Sequence, residues 1–173
     1  MSTLRRQRDE RLHALVADAS GAMLGYFTRR VDSPEDAADL LGETLLVAWR
    51  RRRELPTDDE GARMWLFGVA RGRLANHRRG AVRRSALAAR LRLELGAAVT
   101  RHPDPADAAE VRAAVAALTD DQRELVMLVH WDGFGIAEAA ALLGVNASTA
   151  RGRYAAARAQ LARAPAQVET PTP

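Results

Sequence analysis

The chain contains no cysteine, which removes disulfides, zinc–thiolate sites and thiol nucleophiles from consideration. It contains no lysine either, since all 26 basic residues are arginine. Glycine and proline are sparse, at 12 and 7 residues, so few positions interrupt a helix. No apolar run approaches the roughly 18 residues that suggest a membrane span. The opening residues, MSTLRRQRDERLH, lack the apolar core of a signal peptide. These absences lead to the expectation of a cytoplasmic protein without membrane attachment.

Catalysis has little to work with. His13, His77, His102 and His130 are scattered, and none stands at a ligand spacing such as H-E-x-x-H. No glycine-rich phosphate loop is present. The reading is therefore of a chain that is not an enzyme and takes no cofactor and no metal.

What is present is alanine, arginine and helical periodicity over 173 residues, enough for one ordinary domain or two small ones. Strand-like alternation is nearly absent, and the predicted class is all-α. Ser33-Pro34-Glu35-Asp36 has a capping serine, a proline at the first helical position and early carboxylates. Thr57-Asp58-Asp59-Glu60 and Thr119-Asp120-Asp121-Gln122 have capping-box spacing. Asp104-Pro105 starts another helix, Asn146 caps one more, and Gly133 and Gly144 stand where helices stop. Helices are predicted over 8–31 (with a break near Ser20-Gly21), 34–53, 58–80, 105–118, 120–131, 135–143 and 147–163. A frayed extension is expected over 81–92. Residues 93–104 read as a flexible linker, and 165–173 as a disordered, proline-rich tail. The domain expectation is 8–92 and 105–164.

Charge is blocked along the chain. Residues 32–60 hold nine acids against four arginines, whereas 71–92 hold eight arginines and no acid. Residues 146–163 hold four arginines and no acid. A single run of charge is ordinarily a solvated helix face. Two basic blocks, each inside a motif, point to two contacts with one polyanion.

The first motif is GIAEAAALLGVNASTARGRYAAARAQLAR, residues 135–163: a short helix, a glycine turn and a capped helix, which is the helix–turn–helix pattern. On a helical wheel Ala150, Tyr154, Ala157 and Leu161 form the core seam. Ser148, Arg151, Ala155 and Arg158 face the opposite way, and Arg153 flanks the seam from the other side. Small residues between arginines suit a major groove, where arginine bonds guanine edges or phosphates.

The second motif, GARMWLFGVARGRLANHRRG (61–80), buries Leu66, Val69, Ala70 and Leu74. Outward lie Arg71, Ala75 and Arg78, with Trp65, Gly68, Gly72, Asn76 and Arg79 beside them. Glycine inside a helix costs about 1 kcal/mol relative to alanine, so Gly68 and Gly72 require a packing or contact reason. The core is the favoured place for Trp65. The third motif is PEDAADLLGETLLVAWRRRR (34–53). Its core stripe is predicted as Ala37, Leu41, Thr44, Leu45 and Ala48. A second face carries Asp39, Gly42, Glu43, Leu46 and Trp49, a mixture of acids and apolar groups that fits a protein interface.

With these residues in view, the chain resembles a bacterial RNA polymerase sigma factor of the short, extracytoplasmic-function (ECF) class of the sigma-70 family. The resemblance spans roughly residues 10–163. SPEDAADLLGETLLVAWR is similar to the family's core-polymerase-binding segment, and RMWLFGVARGRLANHRR to its promoter-melting and −10-reading segment. LTDDQRELVMLVHWDGFGIAEAAALLGVNASTARGRYAAARAQL is similar to its −35-reading domain.

The resemblance implies two helical domains, region two and region four. Region two would bind the clamp of the polymerase largest subunit through Asp36, Asp39, Glu43 and Trp49, with Leu46 on the same face. Its Arg71, Gly72, Asn76, Arg78 and Arg79 would engage the −10 element. Region four would bind the flap of the second-largest subunit and read the −35 duplex through Ser148, Thr149, Arg151, Arg153 and Arg158. An anti-sigma factor is a further candidate partner. The sequence departs from the family at Gly72, often asparagine, at Asn76, often aspartate, and at Gly135, more usually a serine or threonine cap. The alternative function is a helix–turn–helix regulator that acts without polymerase.

Overall fold

The computed structural model describes residues 2–95 and 109–163, and all regular structure among them is helical. The chain divides into two compact units, Met1–Thr100 and Arg101–Pro173.

In the first unit, α1 (Ser2–Thr28), α2 (Pro34–Arg50) and α3 (Asp59–Leu95) pack together, with a 3₁₀ turn at Arg52–Glu54. The core is built from Leu12, Met23, Tyr26 and Phe27 of α1, Leu40 and Ala48 of α2, and Leu66, Phe67 and Leu74 of α3. Tyr26 meets Phe67 edge-on at 5.6 Å, the arrangement that the ring quadrupoles favour. Thr44 is fully buried and its hydroxyl donates back to the Leu40 carbonyl at 2.7 Å, so no polar atom is stranded there. Arg30, also buried, lies over the Tyr26 ring at 3.8 Å. Arg52 ties the 3₁₀ turn to α1 through Asp9 at 2.8 Å.

Local chemistry explains most of the boundaries. The Ser33 hydroxyl accepts from the Asp36 amide and donates to Glu35, which holds the Glu35 carboxyl below its ordinary range. The predicted cap at Thr57 is corrected by one residue: Asp58 accepts from the Gly61 amide at 2.6 Å. No break occurs at Ser20-Gly21. Met23, Tyr26 and Phe27 beyond it are all buried, and that packing outweighs the weak helix propensity of serine and glycine. Helix α1 ends at Thr28 rather than at residue 31. Helix α2 stops at Arg50, and residues 52–54 tighten into the 3₁₀ turn. The α2 core stripe includes Leu40 in place of Leu41 and Leu45, which are only half-buried. Helix α3 runs unbroken through 81–92 to Leu95, so 93–95 are helix rather than linker.

The second unit holds α4 (Ala109–Ala116), α5 (Asp120–His130), α6 (Ile136–Leu143) and α7 (Ala147–Leu161). Thr119 and Gln122 form the full capping box of α5. Arg123 donates to the carbonyls of Val115, Ala116 and Leu118, closing the C-terminus of α4 onto α5. Gly133 and Gly144 both take φ of 70°, a left-handed conformation that a side chain disfavours. Gly135 cannot cap with a side chain, yet its amide donates to Glu138 at 2.6 Å, which keeps half of a capping box. The Asn146 side chain accepts from the Thr149 amide at 2.8 Å and starts α7. The expected helix start at Asp104-Pro105, most of the 93–104 linker and the 165–173 tail lie outside the described residues.

Candidate nucleic-acid and protein interfaces

Helix α7 buries Ala150 and Ala157 completely, with Tyr154 and Leu161 packed beside Leu118 and Val126. That seam turns Ser148, Arg151, Ala155 and Arg158 to solvent. Thr149 is half-buried, and the Ser148 hydroxyl donates to Asn146 at 2.9 Å. Among the described residues, Arg151 and Arg158 form no ion pair. Arg153 differs, since its guanidinium pairs with Asp121 of α5 at 3.0 Å. The outer face therefore presents arginines between small side chains, fit for a groove of the double helix.

Helix α3 buries Leu66, Val69, Ala70 and Leu74. Arg71, Gly72, Ala75, Asn76, Arg78 and Arg79 are exposed on its other side. Arg79 donates to the Asn76 side chain. Beyond the helix's own backbone, a methyl group added at Gly68 or Gly72 would meet nothing within 4 Å, so neither glycine has a packing reason among the described residues. Trp65 is half-buried and its indole Nε1 is sealed from solvent without a hydrogen-bond partner among the described residues, which sets it in the packing and not on the open face.

Helix α2 exposes Asp39, Gly42, Glu43, Leu46 and Trp49 together. Leu46 keeps 59% of its surface and Trp49 40%. The Trp49 ring is supported from behind by His13 and Arg52. Asp36 is half-buried where α2 meets α3, 3.8 Å from His77, and Glu43 lies 3.8 Å from Arg73. A hollow of about 590 Å³ runs along this seam, with Asp36, Asp39 and Glu43 on one wall and Asn76, His77 and Arg83 on the other. The hollow joins the α2 acids to Asn76 and leaves Arg71 and Arg78 outside.

Three participants escape a reading of the sequence by blocks. Arg73 and His77 cross to the α2 acids, and His13 supports Trp49. The signal for the first two lay in the acidic block facing a basic one. Nothing in the sequence pairs residue 13 with residue 49. Among the described residues no cluster of three or more His, Cys, Asp or Glu side chains is placed to hold a metal ion. No described helix is long and apolar enough to cross a membrane.

The family model for sigma-70 region 2 matches residues 15–84, and that for sigma-70 region 4 matches residues 108–161. The chain is 35% identical over 127 residues to the ECF RNA polymerase sigma factor SigF of Caulobacter vibrioides, covering 73% of this chain and 69% of that one. It is 29% identical over 146 residues to the ECF RNA polymerase sigma factor SigL of Mycobacterium tuberculosis, covering 82% and 81%. Among solved structures, CnrH in complex with the cytosolic domain of CnrY matches with a TM-score of 0.62 at 25% identity, over 89% of this chain and 86% of that one. With regions 2 and 4 both matched in order, the chain belongs to the ECF sigma factors of the sigma-70 family, the RNA polymerase factors that initiate transcription.

Proposed function

We propose that this sigma factor docks on core RNA polymerase through the exposed face of α2 and presents α3 and α7 to promoter DNA. The observation that carries the reading is the α2 face itself. Leu46 and Trp49 stand open to solvent on the same face as Asp39 and Glu43, a combination that a solvated surface helix has no use for. The acids would pair with basic groups of the largest-subunit clamp while Leu46 and Trp49 supply apolar anchors. The half-buried Asp36 lies at the edge of that contact.

On α3, Arg71, Arg78 and Arg79 would hold the backbone of the opened strand. Gly72 and Asn76 would line the place where a −10 base leaves the stack. On α7, Ser148, Thr149, Arg151 and Arg158 would enter the −35 major groove, with Arg151 as the base reader. Region two over 8–92 and region four over 105–164, joined by the segment between, would act as a bivalent reader, so neither need bind tightly alone. Region four would also meet the flap of the second-largest subunit. The factor works in the cytoplasm, where polymerase and promoters are, and does no chemistry of its own. Control by a protein that binds the free factor belongs to the same reading, as the cytosolic domain of CnrY binds CnrH.

The test is co-purification with core polymerase followed by run-off transcription from a linear promoter. A regulator that acts without polymerase would bind the −35 duplex, fail to co-purify and leave transcription by core enzyme unstarted.

A further inference from the structure

The buried side chains of α7 are Ala150 and Ala157. Tyr154 and Leu161, only partly buried, pack beside them against Leu118 and Val126, and the two alanine methyls themselves have little relief with which to key one helix against another. Polar contacts flank the seam on both edges. On one edge Arg153 pairs with Asp121 at 3.0 Å, and Gln160, two turns along, donates to the Ala117 carbonyl at 3.0 Å. On the other edge the Tyr154 hydroxyl meets His130 Nε2 at 2.9 Å, with the two rings stacked 5.8 Å apart.

Arg153 is also on the wrong side of the helix for the groove. At about 100° per residue it lies roughly 160° around from Arg151 and roughly 140° from Arg158. A helix that turns Arg151 and Arg158 to DNA turns Arg153 towards α5, where Asp121 receives it. We propose that Arg153 is a positioning residue: through Asp121 it sets the rotation of α7 and thereby the aim of Arg151 at the −35 bases. This rests on the reading of α7 as the −35 helix. The Arg153 and Asp121 side chains are 36% and 66% exposed, so the pair adds little to stability. Its effect belongs in promoter reading.

The signs of the two readings differ, which makes them separable. If Asp121 merely masks an arginine that would otherwise touch phosphate, removing the acid strengthens binding to a polyanion. If Asp121 is half of a brace, removing it weakens and blurs binding although the surface becomes more positive.

The experiment uses the full chain assembled with core polymerase. The probe is the best duplex that wild-type holoenzyme selects from a library randomised at the −35 element. Affinity is measured over a salt series, and the selection is repeated for each variant. Asp121→Asn is expected to lower affinity severalfold, up to about fivefold, the most that losing one exposed ion pair can cost, and to broaden the −35 preference. Arg153→Gln is expected to do the same with the log–log salt slope unchanged, since no phosphate contact is lost. Asp121→Glu keeps the carboxylate and should restore the preference. The exchange Asp121→Arg with Arg153→Asp should return affinity to within about twofold of wild type. Tighter binding by Asp121→Asn, or a slope smaller by about 0.9 for Arg153→Gln, overturns the proposal, as does an exchanged pair no better than Arg153→Asp alone. Should Asp121→Asn fail to fold by circular dichroism, the Glu variant and the exchanged pair decide. Arg151→Ala separates the two levels. If it leaves affinity and preference unchanged, α7 is not the −35 reader. If it lowers both while the brace variants do not, only the brace is wrong.

Discussion

Trp49 lies stacked on His13, with ring centroids 5.5 Å apart and planes 21° apart. One face of the indole is thus held by α1 while the ring keeps 40% of its surface exposed, and Arg52 lies 4.7 Å from its centroid. An aromatic fixed in this way meets a partner without first losing rotamer freedom, which is the economy of a preorganised anchor. Trp49→Ala should therefore cost polymerase affinity by about 2 kcal/mol or more, as an anchor does, and fold stability by only about 1 kcal/mol. His13→Ala should lower affinity by a smaller factor, because the indole survives but loses its support. Urea unfolding and a titrated polymerase pull-down read the two quantities separately. Equal affinity of Trp49→Ala and wild type would remove Trp49 from the interface.

Charge reversal on the same helix separates docking from folding. Asp39 and Glu43 are both exposed, and the internal partner that Glu43 has, Arg73, is 3.8 Å away. Surface ion pairs at such distances contribute at most about 1 kcal/mol. Asp39→Arg combined with Glu43→Arg should abolish co-purification with core polymerase while the circular dichroism spectrum stays helical. Retained co-purification by the folded double variant would place docking elsewhere.

The α3 arginines can be tested where melting is visible. Arg71, Arg78 and Arg79 are exposed, and their replacement by alanine leaves the buried arc of Leu66, Val69, Ala70 and Leu74 untouched. Permanganate footprinting of the triple variant with core enzyme should show −35 occupancy retained and reactive thymines near −10 lost. Normal thymine reactivity would refute the role given to this helix.

Elements whose cause is local were legible before the structure. Ser33, Thr119 and Asn146 cap because an oxygen three residues ahead of an amide is a matter of sequence spacing. The seam of α7 and the arc of α3 follow from period alone. Long-range packing decided what the sequence could not carry. Met23, Tyr26 and Phe27 keep α1 continuous across Ser20-Gly21, and Leu40 enters the core ahead of Leu41 because of where α2 meets its neighbours. The candidate site divides in the same way. The outward faces of α2, α3 and α7 were readable, whereas the pairs Arg153–Asp121, His77–Asp36 and Trp49–His13 join residues that no short-range pattern links.

Asn146 offers a stability test that also touches the reading helix. Its side-chain oxygen accepts from the Thr149 amide and from the Ser148 hydroxyl. Asn146→Ala should destabilise region four by about 1 kcal/mol and fray the first turn of α7, where Ser148 and Thr149 lie. Thermal unfolding reads the first effect, and weaker −35 binding reads the second. Asn146→Asp keeps the cap but adds a negative charge beside DNA. It should recover stability while binding stays weak, an outcome that a purely structural cap would not give.

The exposed glycines of α3 set stability against function most directly. Gly68 and Gly72 lie inside a continuous helix on its solvent side, and a methyl group at either position would meet, among the described residues, nothing within 4 Å beyond the helix's own backbone. Alanine lowers the entropy of the unfolded chain and suits a helix better. Each of Gly68→Ala and Gly72→Ala should therefore stabilise the isolated factor by about 0.4–1 kcal/mol. A contact from outside the chain with the bare backbone would account for glycine at positions where the free protein gains from alanine. If that contact is with the opened −10 strand, Gly72→Ala should raise the unfolding midpoint yet reduce thymine reactivity and run-off transcription, because the added methyl stands where a base leaves the stack. Gly68→Ala, one turn away from Gly72 and further from Asn76, should stabilise equally and impair melting less. A Gly72→Ala variant that is both more stable and fully active in melting would show that the bare backbone at this position serves no contact. The −10 reading of α3 would then rest on Asn76 and the arginines alone.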